Sequence, residues 1–477
     1  MGGSLLAGDR TEGQPIAQRL DNALSLPEIF EAFRELPRPV FLDSALVNPQ
    51  LGHFSYLSAD PFLVLRSKGR RVEVEERGKA LECLDGDPLA ILQGLLRRFH
   101  LSPLPGLPPF QGGALGYLAY ELAHHIERLP GRASDYLGIP EMNVAFYDWT
   151  IGCDHETGSV WAVATGLPEG AGQRARERLE WIDSRLELAR GRPKPYLASP
   201  GVSDVASNFS REGYLEAIKK VKGYIARGDV YQVNISQRFE ATIACEPWEL
   251  YLRLRRVNPA PFAAYLQYPE VAVLSASPEE FLHLEAGQVR TRPMKGTRPR
   301  GRNATEDLRL AQELRASEKD RAENVMIVDL MRNDLGRVCV PGSISVPELF
   351  VVEQYSTVIQ MVSTVSGVMR PGLDGVDLLR ACFPGGSVTG TPKIRAMEII
   401  DELELTQRSV YCGGIGYIGF DGSLLTCIPI RALLVKGRRT YFQVGGGIVA
   451  DSDPQAEYEE TMHKARGAFQ ALGVHER

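Results

Sequence analysis

Residues 210–239 read SREGYLEAIKKVKGYIARGDVYQVNISQRF, and the change of period inside this stretch decides the fold class. Tyr214, Ile218, Val221 and Ile225 recur every three to four residues, the spacing of one helical face. Ser210 is a suitable N-cap and Gly228 a suitable stop. From Tyr231 the period falls to two. Tyr231, Val233 and Ile235 alternate with Gln232, Asn234 and Ser236, the pattern of a half-buried strand. At residues 424–450, LLTCIPIRALLV and TYFQVGGGIVA flank KGRR and read as a β-hairpin, and a last helix is predicted from Pro454. Helices and strands therefore mix without strict alternation. That favours an α+β fold with antiparallel sheet over a doubly wound parallel one.

Working outward, the chain divides into three stretches. Residues 1–185 combine short strand-like runs with Gly- and Pro-rich turns and end in a charged helical segment beginning GQRARERLEWIDS at residue 172. Residues 186–208 are polar and proline-containing and read as a linker. Residues 209–475 carry the clearer patterns. The chain has 477 residues and a formal charge of −6, which gives no electrostatic reason to expect nucleic acid or an anionic membrane. The seven cysteines are scattered and form no C-x-x-C pair, which fits free thiols in the cytoplasm rather than disulfides or a zinc site. The first ten residues, MGGSLLAGDR, make a poor signal peptide and a poor myristoylation site, and no run is long and apolar enough to span a bilayer.

Several segments hold chemistry-bearing groups. Asp320 and Glu323 lie three apart on one predicted helix, and Glu457 and Glu460 lie three apart on another, with Lys464 four further on. Such spacing puts both acids on one face. Two such faces together suit Mg²⁺, although exposed acid pairs are also common solvated surface. FPGGSVTGTPKIRAMEIIDELE (residues 383–404) joins a glycine-rich turn to a helix, with Thr391 and Pro392 as an N-cap and N1 pair. Free N–H groups there, with the hydroxyls of Ser387 and Thr389, favour an anion, and an ordinary well-capped loop is the competing reading. Lys295 sits in the basic stretch TRPMKGTRPRGRN (residues 291–303) and becomes a nucleophile only if its proton is removed. Glu279, in SPEEF, becomes a general acid only if burial keeps it protonated. Otherwise each is a surface charge.

Taken in order, SPEEF, PMKGTRPRG, AENVMIVDLMRNDLGR, FPGGSVTGTPKIRAMEIIDELE, GGIGYIGF, IPIR and GGGIVADSDPQAEYEET resemble the chorismate-utilising enzymes. That family contains anthranilate synthase component I, the aminodeoxychorismate synthases, and the isochorismate and salicylate synthases. The resemblance is dense over residues 209–470 and weaker through LDSALVNPQLGHFSYL and FQGGALGYLAYEL. It implies one large α+β unit, with packed antiparallel sheets flanked by helices, two interwoven subdomains and the active site in the cleft. It implies Mg²⁺ on Glu323 and Glu460, with Asp320 and Glu457 close by. It further implies a carboxylate-binding loop at Gly386, Ser387 and Thr389, and a grip on the enolpyruvyl carboxylate by Tyr411 and Arg431. Gly446 and Lys464 match positions near bound carboxylates, Thr297 a hydroxyl lining the ring pocket, and Glu279 the acid that protonates the departing C4 hydroxyl.

Two positions discriminate among members. Isochorismate and salicylate synthases carry a water-activating lysine where this chain has Gln232, so water addition is disfavoured. Anthranilate synthases usually carry alanine at the position of Lys295, whereas the aminodeoxychorismate synthases resemble this chain in carrying lysine there. The resemblance thus implies an amination of chorismate with ammonia, with Lys295 as covalent nucleophile, and anthranilate synthesis is the alternative. No Cys-His-Glu glutaminase arrangement with a G-x-C-x-G elbow is present, so ammonia is expected from solution or from a separate class I glutaminase subunit. Gln360 stands where the family often has histidine, and this departure alone motivates the reading as a non-catalytic relative. Asp43 and Ser44, in FLDS, resemble an element that forms a tryptophan site in relatives, and simple strand packing is an equal reading.

Overall fold

A computed structural model describes residues 10–20, 24–47, 51–190, 199–355 and 358–474. Residues 1–9 and residues 191–198 of the expected linker lie outside this set. Among the described residues the strands form two antiparallel sheets of 12 strands each and a two-stranded pairing of Thr11–Glu12 with Phe99–His100. In the first sheet Met294–Pro299, Val358–Val368, Gln288–Thr291, Glu280–Glu285, Leu424–Cys427 and Gly414–Gly419 lead into Gly113–Leu118, Met142–Tyr147 and three further N-terminal strands. In the second, Ser203–Ser207, Gln232–Thr242, Arg439–Ile448, Ala432–Lys436, Ala272–Ser277 and Phe262–Gln267 lead into Val40–Asp43, Phe54–Ser58 and three more. Both sheets are thus shared between the N-terminal and C-terminal stretches, which interweaves the two subdomains.

The layers follow from side-chain alternation. Val40, Tyr56, Leu115, Tyr117, Leu266, Ile415 and Leu434, drawn from both sheets, form one buried cluster between them. The outer face of the first sheet is covered by the helices Pro88–Leu96, Glu318–Gly336 and Gly375–Cys382. That of the second is covered by Gly172–Ala189, Pro247–Val257 and Pro454–Leu472. No helix among the described residues is long and apolar enough to cross a membrane.

The quoted helix and strand are both present. Arg211–Ala226 is helical, Ser210 Oγ accepts the N–H of Gly213, and Gly228 ends it at φ 79°. The strand is Gln232–Thr242, and it is not half-buried as its alternation suggested. Tyr231 lies outside it and is 67% exposed, whereas Gln232 and Gln237 are 1% exposed. The reason is position. This inner strand lies between two others, with Val233 and Ile235 packed under the helices Arg211–Ala226 and Lys393–Leu403 and its polar face turned into the protein.

Two further expectations are corrected. LLTCIPIRALLV is not one strand. Leu424–Cys427 belongs to the first sheet and Ala432–Lys436 to the second. The chain crosses between them at residues 428–431, where Pro429 has no N–H to offer a ladder and Arg431 takes φ 57°. The hairpin pairs Ala432–Lys436 with Arg439–Ile448 only. Nor does Thr391 cap a helix. It pairs with Gln232 in the short strand Gly390–Thr391, Pro392 takes the cap position, and the helix runs Lys393–Leu403.

Lys393 is the strut beneath the glycine-rich loop. Its ammonium meets Asp334 Oδ2 at 2.6 Å and donates to the carbonyls of Cys382 and Pro384 at 2.9 and 3.0 Å. Both partners are largely buried, and burial raises the pKa of Asp334 despite the lysine. Lys393→Met leaves that carboxylate uncompensated and is expected to cost about 3–5 kcal/mol. The double variant with Asp334→Leu is expected to recover most of the loss. Urea midpoints of the three proteins check this, and equal midpoints for the single and double variants would refute it.

Candidate active site

The strand Met294–Pro299 contains a bulge. Met294 pairs with Val362 and Thr297 with Gln360, so three steps on one strand face two on the other. Gly296 takes φ 82° inside it, and a Cβ there would lie 2.9 Å from Asp320 Oδ1 and Leu314 Cδ1. A bulge re-aims the side chain beside it, here that of Lys295. Across the cleft, the second sheet presents Gly447. The point where its Cβ would stand is 2.3 Å from Gln232 Nε2 and 3.2 Å from Lys295 Nζ. Only glycine leaves room for the amide and the amine together. Both polar atoms of the Gln232 amide are buried without a hydrogen-bond partner.

Glu279 immediately precedes the strand Glu280–Glu285 and is buried. Its Oε1 accepts the Ser387 hydroxyl at 2.5 Å. Burial pushes its carboxyl up to about 7, against the opposing pull of Ser387, Lys295, the Met294 N–H and Arg431. Lys295 is half-buried along its stem. Desolvation lowers the pKa of its ammonium, helped by Lys464 and opposed by Glu323, Glu279 and Glu460. A carboxylic acid that keeps its proton thus lies within electrostatic reach of an amine that more readily loses one.

The guanidinium of Arg431 comes from the crossing between the sheets. Burial lowers its pKa while Tyr355 and Glu279 raise it, and it makes no ion pair or side-chain hydrogen bond with the described residues. Tyr411 is buried in the turn before Gly414–Gly419. An unpaired desolvated cation is costly unless an anion joins it.

The two acid pairs sit on well-capped helices. Ser317 caps Glu318–Gly336 and Asp453 caps Pro454–Leu472. Asp320 is held by Arg298 at 2.8 Å and Glu457 by Ser452 Oγ at 2.6 Å, while Glu457 Oε2 lies 3.1 Å from the Cβ point of Gly446. Lys464 bridges Glu460 at 2.6 Å and the Gly445 carbonyl at 3.0 Å, and it holds the Glu460 carboxyl below the usual carboxylate range. Burial raises the pKa of Glu323, whose nearest ion-pair partner is Lys319 at 4.0 Å. Glu323 and Glu460 influence each other and Lys295, so the two helices do converge. Among the described residues no three His, Cys, Asp or Glu side chains form a metal cage. Two carboxylates are still enough for Mg²⁺, which keeps waters and takes the rest of its shell from a ligand.

The glycine-rich loop departs from its expected role in detail. Gly386–Val388 is a single 3₁₀ turn and not a helix N-terminus. Thr389 donates to the carbonyls of Gly385 and Gly386 at 3.0 and 3.3 Å, so its hydroxyl steadies the turn. A tight turn exposes carbonyls that need such a donor. Ser387 spends its hydroxyl on Glu279. Gly386 packs closely, since a Cβ would stand 2.6 Å from the side-chain ends of Leu330 and Met331. Thr297 is exposed, opposite Gln360, which is buried with its Oε1 unpartnered.

Asp43 and Ser44 are not brought to this site. They line a separate, largely apolar cavity between the sheets with Leu51, Tyr56, Phe262 and Tyr417. Asp43 accepts Tyr251 Oη at 2.9 Å and Arg255 Nε at 2.5 Å, and Ser44 Oγ donates to the Phe54 carbonyl at 2.6 Å. Their polar groups are therefore already satisfied by the protein. Sequence reasoning leaves Gly445-Gly446-Gly447 open between a bulge and a close approach of backbone to a ligand, without singling out Gly447. It missed Lys393 and Lys319, the last of which its spacing of four from Glu323 would have shown.

The model of the chorismate binding enzyme family matches residues 53–470. Aminodeoxychorismate synthase component 1 of Salmonella typhimurium is 44% identical over 93% of this chain and 95% of its own length. Anthranilate synthase component 1 of Acetivibrio thermocellus is 38% identical over 93% of this chain and 92% of its own. Among solved structures, anthranilate synthase component I from Streptococcus pneumoniae superposes with a TM-score of 0.78 at 31% identity, covering 88% of this chain and 92% of that one.

Gly447→Ala tests the convergence of Lys295 and Gln232. The flexible amide and amine can swing away, so the unfolding midpoint should stay close to the parent's. Displacing reacting groups by about 1 Å should lower turnover roughly 10²-fold. Parent-like turnover with the alanine in place would show that the two groups need not meet there.

Proposed function

The chain belongs to the chorismate-binding enzymes, and from that premise we propose that it is an aminodeoxychorismate synthase component 1, converting chorismate and ammonia to 4-amino-4-deoxychorismate for p-aminobenzoate and folate synthesis. The observation that carries the choice within the family is the Lys295 amine, brought by its bulge to the gap at Gly447 and within electrostatic reach of a carboxylic acid with a pKa of about 7. A water-adding enzyme needs a base where Gln232 stands, and an amide is not one.

In the proposed reaction the neutral Lys295 amine forms a bond to ring carbon C2. The ring double bonds shift, the C4–O bond breaks, and Glu279 gives its proton to the departing hydroxyl, which leaves as water. Ammonia then bonds to C4 with the reverse shift, the C2–N bond breaks so that Lys295 leaves as the neutral amine with its bonding electron pair and its own two hydrogens, and the one proton released by the incoming nitrogen restores Glu279. The enolpyruvyl group is retained throughout. Arg431 and Tyr411 hold its carboxylate, and the desolvation of Arg431 makes that charge pairing strong. Glu323 and Glu460 would hold Mg²⁺, which when bound supplies a cation for the ring carboxylate. Gln232 keeps an uncharged polar wall beside the nucleophile.

The ammonia is assigned to a class I glutaminase subunit, or to free ammonium when that subunit is absent. The compartment is assigned as the cytoplasm, supported by seven unpaired thiols. A tryptophan site at Asp43 and Ser44 is retained as a proposal for the separate cavity, with the apolar lining in its favour.

Incubation with chorismate, Mg²⁺ and ammonium, followed by mass spectrometry, should yield aminodeoxychorismate and no pyruvate. Anthranilate with pyruvate would establish the alternative activity. Lys295→Ala should lower amination at least about 10³-fold, and full C4 amination in that variant would remove the covalent route. The acid should also mark the pH profile. Glu279 loses its proton in the free protein as pH rises through about 7, so kcat/KM should fall on the alkaline side of that value. Glu279→Gln should lose about 10²–10⁴-fold in rate together with that limb. An unchanged alkaline limb in the variant would reassign the acid.

A further inference from the structure

One fully buried guanidinium lies behind the site and takes no part in the chemistry above. Arg408 is 2% exposed and stacks on the ring of Tyr120 at 4.8 Å. Its Nε and Nη2 donate to the two carboxylate oxygens of Glu404 at 2.9 and 2.7 Å. The remaining donors reach two main-chain carbonyls. Nη1 bonds that of Val388 and Nη2 that of Asn234, each at 2.8 Å. Its own carbonyl accepts the N–H of Tyr411 at 3.1 Å.

These acceptors are neighbours of site residues. Val388 follows Ser387, whose hydroxyl holds the acid Glu279. Asn234 lies two residues along the strand from Gln232, and its Nδ2 donates to the Ser387 carbonyl at 3.3 Å. Tyr411 is in the next turn. Glu404 extends the same web by accepting both the N–H and the hydroxyl of Ser236, at 2.8 and 2.9 Å. Glu121, from the N-terminal stretch, fixes the turn by accepting the N–H groups of Arg408 and Ser409 at 2.7 and 3.0 Å. Three segments that approach the site from different parts of the chain therefore meet at one rigid, planar cation.

We propose that Arg408 is the positioning residue that sets the relative placement of Gln232, Ser387 and Tyr411. A buried ion pair by itself is a poor reason for an arginine, since apolar residues of similar volume often serve stability as well. The planar fork explains the choice. It bonds a carboxylate and two carbonyls at fixed angles, and a lysine has neither the reach in two directions nor the plane. The inference rests on the reading that Gln232, Ser387 and Tyr411 face chorismate.

Arg408→Lys tests it, with Arg408→Gln/Glu404→Gln as a second variant that leaves no unpaired buried charge. Each is measured for kcat and KM with chorismate, for its unfolding midpoint, and for hydrogen exchange in residues 385–389 and 409–412. The expected result is a rise in KM of about tenfold or more with a smaller fall in kcat, and faster exchange in both segments. Parent-like KM and exchange in either folded variant overturns the proposal. So does a loss of rate that tracks the folded fraction alone, with KM unchanged. If the parent protein itself fails to consume chorismate, the functional reading fails, and the exchange measurement still decides whether Arg408 holds the two segments.

Discussion

The structure depends on desolvation at one place. A lysine amine and a carboxylic acid placed side by side in water would exchange their useful proton states and form an ion pair. Here burial is the largest influence on both Glu279 and Lys295, and it drives the acid up and the ammonium down. The enclosing walls are two stacked sheets, a helix bearing Glu323 and a helix bearing Glu460. The bulge at Gly296, the bare Cα of Gly447 and the crossing at residues 428–431 are local departures from regular sheet, and each lies where a functional group enters the gap. The regular parts of the fold keep water out, and the irregular parts aim the chemistry.

Much of the fold was legible in the sequence because period and punctuation are local. The helix after Ser210, the strand after Tyr231, the capped helix from Pro454 and the antiparallel class all follow from spacing and turn residues. What was misread depended on tertiary position. The strand Gln232–Thr242 alternates like a surface strand, but a polar face can also point at a polar site, and alternation cannot tell solvent from substrate. The break in LLTCIPIRALLV had a signal in Pro429, yet a proline is also tolerated at a strand edge. Only the sheet partners show that the chain changes layer there.

The site was legible in identity more than in role. Lys295, Glu279, Gln232, Arg431, Glu323 and Glu460 were named by motif and stand in or around one cleft. Thr389 and Ser387 show why hydroxyl roles resist sequence reading. A hydroxyl beside a glycine turn suits an incoming anion or the turn itself, and the choice depends on distances of a few tenths of an ångström. Gly447 stays undistinguished within its run of three glycines for the opposite reason, since its contribution is an absence of atoms. Lys393 and Arg408 act on main-chain carbonyls, and a carbonyl partner leaves no trace in the residue alphabet.

The sharing of both sheets between the two ends of the chain has a consequence for biosynthesis. Gly113–Leu118 and Val40–Asp43 emerge early from the ribosome, but each needs a neighbour supplied much later in the chain. The helix that carries Glu460 emerges almost last. Such non-local pairing is slow to form and leaves strand edges open in the meantime. The nascent chain therefore holds no working fragment at any stage of synthesis. Its N-terminal strands can pair among themselves, Gly113–Leu118 with Met142–Tyr147 and Val40–Asp43 with Phe54–Ser58, but each run keeps one edge open until the C-terminal strands arrive to complete the sheets.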